Sequence, residues 1–398
     1  MPLNGKPPQR ILIIRLSAIG DILLTTPLLR ALRNRFPHTR LDFVVKSDFA
    51  ELLHYHPAIT QLYKVDPHAG WSALRALGRQ LRKQRYELVF DIHNNFRSRY
   101  LTAAACPQRV LRYRKHVFRR WMLVRTKINW MKTVPPVSRR YLDTALPLGI
   151  GAEQPQEASP LELFWREQEE REATTTLTTH GWEPDMPLIA LAPGAGYFTK
   201  RWPAAYFGQF AAALAQLGNQ LVLLGGPQEA EVAKEVEKTM KEVERSARQH
   251  NGVFEKNRVS NVGGLINLVG KLSLLAAAAV IKRCRLLITN DSGPMHIAEA
   301  VGTPLVAIFG STVREFGFFP QNATSHVVEH EGLSCRPCSH LGHDRCPRGH
   351  FRCMREILPE TVLAIAQQLL TAREVTPICR LGQTETIDQQ PLVESNIQ

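Results

Sequence analysis

The run RILIIRLSAIGDILLTTPLLRALRNRFP (residues 10–37) decides the fold. Residues 10–16 are a continuous apolar stretch broken only by arginine, which reads as a strand buried on both faces. Ser17, Ala18 and Gly20 make a turn, and Asp21 stands where a helix begins. Ile22, Leu23, Leu28, Leu29 and Leu32 then recur at helical spacing over 21–35. Further strands follow at LDFVV (41–45), LYKV (62–65) and YELVFDI (86–92), with a helix at 71–84 between the last two. Strand, helix and strand in alternation predict a parallel, doubly wound α/β sheet.

A second series of the same kind starts at residue 188. It comprises LIALAPG (188–194), a helix at 204–217, QLVLLGG (220–226) and a helix at about 228–248. INLVG (266–270), a helix at 273–282, RLLITND (285–291), a helix at 294–301 and PLVAIFG (304–310) complete it. A length of 398 residues suits two domains of roughly 150–190 residues each. Residues 151–172 are Glu-rich and read as helical, and 178–187 carry turn signals. The expected division is 1–175 and 176–375, with a loop insertion at 250–264 and a polar, disordered tail at 376–398. Tandem Rossmann-like domains also serve dehydrogenases, synthetases and binding proteins, so the fold leaves function open.

No apolar run reaches the roughly 18 residues that a membrane span needs. MPLNGKPPQR leads straight into ILIIRL without a secretory apolar segment and cleavage site, so a cytoplasmic protein is expected. The net charge is +14, and it is local. Residues 109–140 hold eleven Arg and Lys and no acid; setting those aside leaves +3 for the rest of the chain. A patch of that kind predicts a specific anionic partner.

Four strand ends carry candidate chemistry. In the first, Asp21 lies beyond a strand's carboxyl end, where α/β sheets bind ligands. Its position is equally that of an ordinary acid favoured at a helix start. G-x-G-x-x-G is absent from this turn, which argues against a dehydrogenase. In the second, Thr289-Asn290-Asp291-Ser292-Gly293-Pro294-Met295-His296 runs from strand to helix, with proline where its missing N–H does no harm. The Ser292 and Gly293 amides at that helix start suit a diphosphate. The alternative is a plain capped helix with a packed histidine. In the third, PGAGYFTKRWP (193–203) places Thr199, Lys200 and Arg201 after a strand, fit for the charge of a departing nucleoside diphosphate or simply solvated. In the fourth, GGPQE (225–229) offers an acid that could accept from ribose hydroxyls.

Taken in order from about residue 10 to about 357, these motifs resemble glycosyltransferase family nine, the ADP-heptose–lipopolysaccharide heptosyltransferases, and most of all their type II branch. The resemblance implies a GT-B fold, two Rossmann-like domains facing a cleft, and an inverting, metal-independent transfer with no cofactor beyond the ADP-heptose donor. It puts the catalytic base at Asp21. Thr199 and Lys200 would contact the donor diphosphate, Lys200 assisting catalysis, and Glu229 the nucleoside. Asp291, Ser292, Gly293 and His296 would bind the donor heptose and phosphates. Base and diphosphate groups would meet on domain closure.

The basic stretch interleaves Tyr113, Phe118, Trp121 and Trp130 among its cations, a composition that nucleic-acid binders share. In the family reading it is the acceptor region. Arg112, Arg114, Arg119 and Arg120 would meet the Kdo carboxylates and phosphates of Kdo2-lipid A and the inner core. The enzyme would then sit at the cytoplasmic face of the inner membrane and bind no nucleic acid. Rival readings are a family-nine transferase with another donor or acceptor, and a non-catalytic nucleotide- or nucleic-acid-binding protein. Cys335-x2-Cys338-x7-Cys346-x6-Cys353 has spacing compatible with a structural zinc, with buried reduced thiols or with redox-linked pairs.

Overall fold

The structure, a computed structural model, describes residues 7–66, 68, 70–151, 160–250 and 264–374. The expected insertion at 250–264, apart from its two ends, and the expected tail at 376–398 lie outside the described residues. The chain forms two compact units. Of the described residues, the first takes those up to 116 and those from 135 to 166; the second takes 117–134 and those from 167 onward.

In the first unit the strands are β1 (Arg10–Ile14), β2 (Arg40–Lys46), β3 (Gln61–Val65), β4 (Leu88–Asp91) and β5 (Arg109–Arg112). They form one parallel sheet in the order β3-β2-β1-β4-β5. Leu12, Ile14, Val44, Tyr63 and Val89 pack with Leu74, Leu77, Leu81 and Leu101 of the helices Trp71–Lys83 and Phe96–Ala105. The expected single helix at 21–35 is two, Ile19–Leu23 and Thr26–Arg35. The break has a cause: the Thr25 and Thr26 hydroxyls bond back to the Ile22 and Leu23 carbonyls, and Pro27 restarts the helix.

The second unit holds β6 (Leu188–Ala192), β7 (Gln220–Leu223), β8 (Leu265–Asn267), β9 (Leu286–Asn290), β10 (Leu305–Phe309) and β11 (Ser325–Glu329). They form a second parallel sheet in the order β11-β10-β9-β6-β7-β8. Its core joins Ile189, Leu191, Leu221, Ile288 and Ile308 to Trp202, Phe207 and Phe210. The Glu-rich helix is Glu167–Thr179; residues 160–166, expected within it, are not helical, and 152–159 lie outside the described residues.

Residues 117–134 depart from the expected division at 175. They include the helix Val117–Thr126 and belong with the second unit, because Leu123 and Met131 bury themselves against Phe316. Lys127 Nζ caps the carbonyls of Val124 (3.0 Å), Cys335 (3.2 Å) and Pro337 (2.7 Å), and Asn129 donates to Glu315 (2.7 Å). A charge-rich helix thus owes its place to two apolar side chains and one lysine.

Candidate active site

Each sheet has a switch point, where the strand order runs outward in both directions and ligands characteristically bind. In the first unit it lies between β1 and β4, whose ends align Ile14 with Asp91. Beyond β1 the chain turns into the helix Ile19–Leu23, and Asp21 is its third residue. The side chain does not cap that helix. Its Oδ2 pairs with Arg15, and its Oδ1 accepts from the Tyr141 hydroxyl at 2.8 Å. Arg15 is itself fixed, donating from Nε to the Ser17 carbonyl (2.9 Å) and from Nη1 to the Ile92 carbonyl (3.1 Å). Its guanidinium lies 5.4 Å from the centre of the Tyr141 ring.

The electrostatics keep these roles distinct. Burial works against the Arg15 cation, but Asp21 and Tyr141 more than offset it, so its pKa rises. Burial pushes the Tyr141 phenol well above its usual value, which keeps the hydroxyl a donor. The result is a carboxylate oriented by two fixed donors and still about a quarter exposed, with a side-chain exposure of 23%.

His93 follows β4 across the same switch point, its amide bonded to the Ile14 carbonyl at 3.0 Å. Burial first, then the cations Arg15 and Lys115, lower its pKa from 6.5 to about 3. A histidine protonated near 6.5 when unfolded but near 3 when folded costs stability as pH falls between those values. We therefore expect His93→Gln to flatten the acid loss of stability between about pH 6.5 and 3, by up to about 1.4 kcal/mol per pH unit. Urea titrations across that window check it; identical slopes for both proteins would mean that the ring is protonated in the fold.

In the second unit the switch point lies between β6 and β9, where Ala192 aligns with Thr289. Lys200, in the loop after β6, meets Asp291, just after β9: Nζ to Oδ2 is 2.7 Å, with side-chain exposures of 17% and 8%. The Thr312 hydroxyl donates to the same oxygen at 2.7 Å. Thr199 is buried, its hydroxyl bonded to Ser311 (3.1 Å) and accepting from the His343 amide (2.8 Å). Gly310 has no room for a side chain, since a Cβ there would lie 2.8 Å from the Thr199 carbonyl oxygen. The helix Gly293–Val301 opens beside this group with Ser292 at its N-cap, and among the described residues no side chain caps it. The Ser292 hydroxyl pairs with Thr289 instead (3.2 Å). An ammonium and open helix amides together make a site for a diphosphate.

Glu229 joins the same rim. Its Oε2 accepts from the Gly226 amide at 2.8 Å, and a Cβ on Gly194 would fall 1.7 Å from its Oε1. Glycine at 194 therefore lets the β6 loop and this carboxylate touch. Burial raises the Glu229 pKa, although the Gly226 amide and Arg201 oppose it.

Thr199, Lys200, Asp291, Ser292 and Gly293 thus stand together. His296 turns inward: it is buried, and Nδ1 lies 3.0 Å from Glu299 Oε2. The four arginines are divided between the units. Arg112, on the edge strand β5 and 3.5 Å from Asp91, and the exposed Arg114 belong to the first. Arg119 and Arg120 ride on the helix of the second. Arg120 and Lys200 both depress His340, after burial. The zinc reading of Cys335, Cys338, Cys346 and Cys353 finds no support in the geometry. Among the described residues no three His, Cys, Asp or Glu side chains converge as a metal ion requires. Cys335 Sγ lies 3.8 Å from His350 Nε2, and burial holds the Cys338 thiol up and the Cys353 thiol at about 12.

Arg15, Tyr141, His93 and Thr312 were not evident from the sequence. His93 left a trace there as a polar residue directly after an apolar strand, and Arg15 as an arginine that interrupts the first apolar run.

Residues 74–345 match glycosyltransferase family 9 (heptosyltransferase). Lipopolysaccharide heptosyltransferase 2 of Escherichia coli K12 is 27% identical over 322 residues, 77% of this chain and 84% of that protein. Among solved structures, a family 9 glycosyl transferase from Veillonella parvula aligns with a TM-score of 0.73 at 26% identity, over 92% of this chain and 98% of that one. The E. coli ADP-heptose lipopolysaccharide heptosyltransferase II aligns with a TM-score of 0.68 at 25% identity, over 92% and 99%. The two Rossmann-like parallel-sheet units are those of the GT-B architecture.

Proposed function

Because the chain belongs to glycosyltransferase family 9, the heptosyltransferases, we propose that it moves a heptose from ADP-heptose onto the inner core of lipopolysaccharide with inversion at the anomeric carbon. The observation that carries this reading is the Asp21 carboxylate at the first switch point, oriented by Arg15 and Tyr141 and still open to solvent. In one in-line step, Asp21 takes the proton of the acceptor hydroxyl. The acceptor oxygen bonds to the anomeric carbon as the bond from that carbon to the ADP β-phosphate oxygen breaks. Lys200, held by Asp291, and the amides that open the helix Gly293–Val301 receive the charge on the departing ADP. Glu229 is the acid for the nucleoside. No step calls for a metal ion.

The acceptor is an anionic, lipid-borne saccharide, for which Arg112, Arg114, Arg119 and Arg120 supply countercharge. Among the described residues no helix is long and apolar enough to cross a membrane.

The test is incubation with ADP-heptose and a series of defined truncated core acceptors, with product mass and anomeric configuration read out. A gain of one heptose on a single acceptor, inverted and undiminished by EDTA, is expected. Transfer only from a different nucleotide sugar, retention of configuration, or loss of turnover in EDTA would each overturn the corresponding part of the reading.

A further inference from the structure

The helix Val117–Thr126 and the loop after it have two opposite sides. The inner side is anchored: Leu123 and Met131 pack on Phe316, and Lys127 and Asn129 bond to the second unit. The outer side is apolar where a soluble surface would be polar. Val117 is 64% exposed, Phe118 62%, Trp121 53%, Trp130 50% and Ile128 47%. The rings are gathered, with the Phe118 centroid 6.0 Å from Trp121 and 5.9 Å from Trp130. Exposed Arg119, Arg125 and Lys132 are interleaved with them in the sequence, and no acid occurs anywhere from 109 to 140.

We propose that this ring cluster and the cations interleaved with it dock the protein on an anionic lipid bilayer. Contiguous exposed apolar side chains mark a contact surface. Which contact is decided by their chemistry. Tryptophan favours the headgroup level, phenylalanine the acyl boundary just below, and arginine and lysine the anionic phosphates above. The segment that carries the rings is already fixed by buried contacts, so docking needs no ordering of its backbone. The inference rests on the heptosyltransferase reading only in that a lipid-borne acceptor brings the enzyme to a bilayer. The surface itself is argued from exposure and charge.

The experiment is sedimentation of the full chain with vesicles of phosphatidylcholine alone or containing phosphatidylglycerol. Binding to the anionic vesicles only, weakening with salt, is expected. Arg125→Gln and Lys132→Gln should each weaken it about fivefold. The triple variant Phe118→Ser/Trp121→Ser/Trp130→Ser should weaken it by about tenfold or more. In the wild type, brominated lipid should quench tryptophan fluorescence, a readout that needs no variant. A second exposed pair, Trp71 (48%) and Phe96 (73%), with ring centroids 5.6 Å apart on the first unit, is the control. Trp71→Ser/Phe96→Ser should bind vesicles like the wild type.

Transfer to a deacylated, water-soluble acceptor separates the two claims. The triple variant should keep it while losing transfer to vesicle-bound acceptor. Vesicle binding that survives the triple substitution, or is lost instead with the Trp71/Phe96 pair, overturns the docking surface and leaves the transferase reading intact. So does an affinity for duplex DNA above that for anionic vesicles. Absence of transfer from every wild-type assay, with vesicle binding intact, would overturn the transferase reading alone.

Discussion

Asp21→Asn is expected to lower turnover by ~10²–10⁴-fold, the usual worth of a positioned general base, while ADP binding stays unchanged. The substitution keeps size and shape, and the Tyr141 hydroxyl can still donate to an amide oxygen. What goes is the acceptor for the substrate's proton and the countercharge of Arg15. Stability should fall by about 1–3 kcal/mol, the value of a charged hydrogen-bonded partner. Tyr141→Phe separates position from proton transfer: it leaves the carboxylate but frees one oxygen, and roughly a tenfold loss in kcat is expected. Turnover of the Asn variant within about threefold of wild type would remove Asp21 as the base, since no general base is worth so little.

The second large effect is expected at Lys200. Lys200→Met should reduce kcat/KM by ~10²–10³-fold, the range measured when one group facing a developing charge is deleted. It should also weaken ADP, because under the proposed mechanism the ammonium would face the diphosphate both before and after transfer. The pairing with Asp291 complicates a single substitution, since an unpartnered carboxylate would remain at a site only 8% exposed. Breaking a buried pair costs roughly 3 kcal/mol, with the Thr312 hydroxyl limiting the loss. The double variant Lys200→Met/Asp291→Asn resolves this. Thermal stability should return because the stranded charge is gone, and turnover should not. If turnover recovered along with stability, Lys200 would be a structural cation only.

The sequence disclosed most where one physical signal was strong. Continuous apolar runs such as RILII and LIALA left little choice but buried parallel strands, and these lie at the centres of the two sheets. The edge strands β5 (RVLR) and β11 (SHVVE) escaped notice because their outer positions are polar or charged, as suits a sheet edge. Asp21, Lys200 and Asp291 could be picked out because each follows a strand. The pairing of Lys200 with Asp291 could not, for it depends on β6 lying beside β9, a neighbourhood that strand order alone sets. Tyr141 was hidden for a similar reason: it lies 120 residues from the carboxylate it orients, just beyond the end of the basic stretch. The basic stretch was legible as charge but not as a structural element, since the two residues that place it, Leu123 and Met131, are ordinary in any local pattern.

The passage of residues 117–134 into the second unit bears on how such a protein can be taken apart or recombined. The chain leaves the first unit after His116, returns at Pro135 and leaves again after Arg166. A fragment beginning at 167 would therefore lack the piece that covers Phe316, and one ending there would carry Leu123 and Met131 with nothing to pack on. Neither half is heritable as a contiguous block. A chimera joined once, near residue 166, would import one parent's 117–134 onto the other parent's Phe316 and Cys335–Pro337 carbonyls. Among the described residues, exchange that keeps each unit whole needs three junctions, at 116, 134 and 166, so that the basic, aromatic segment travels with the second unit rather than with the sequence that flanks it.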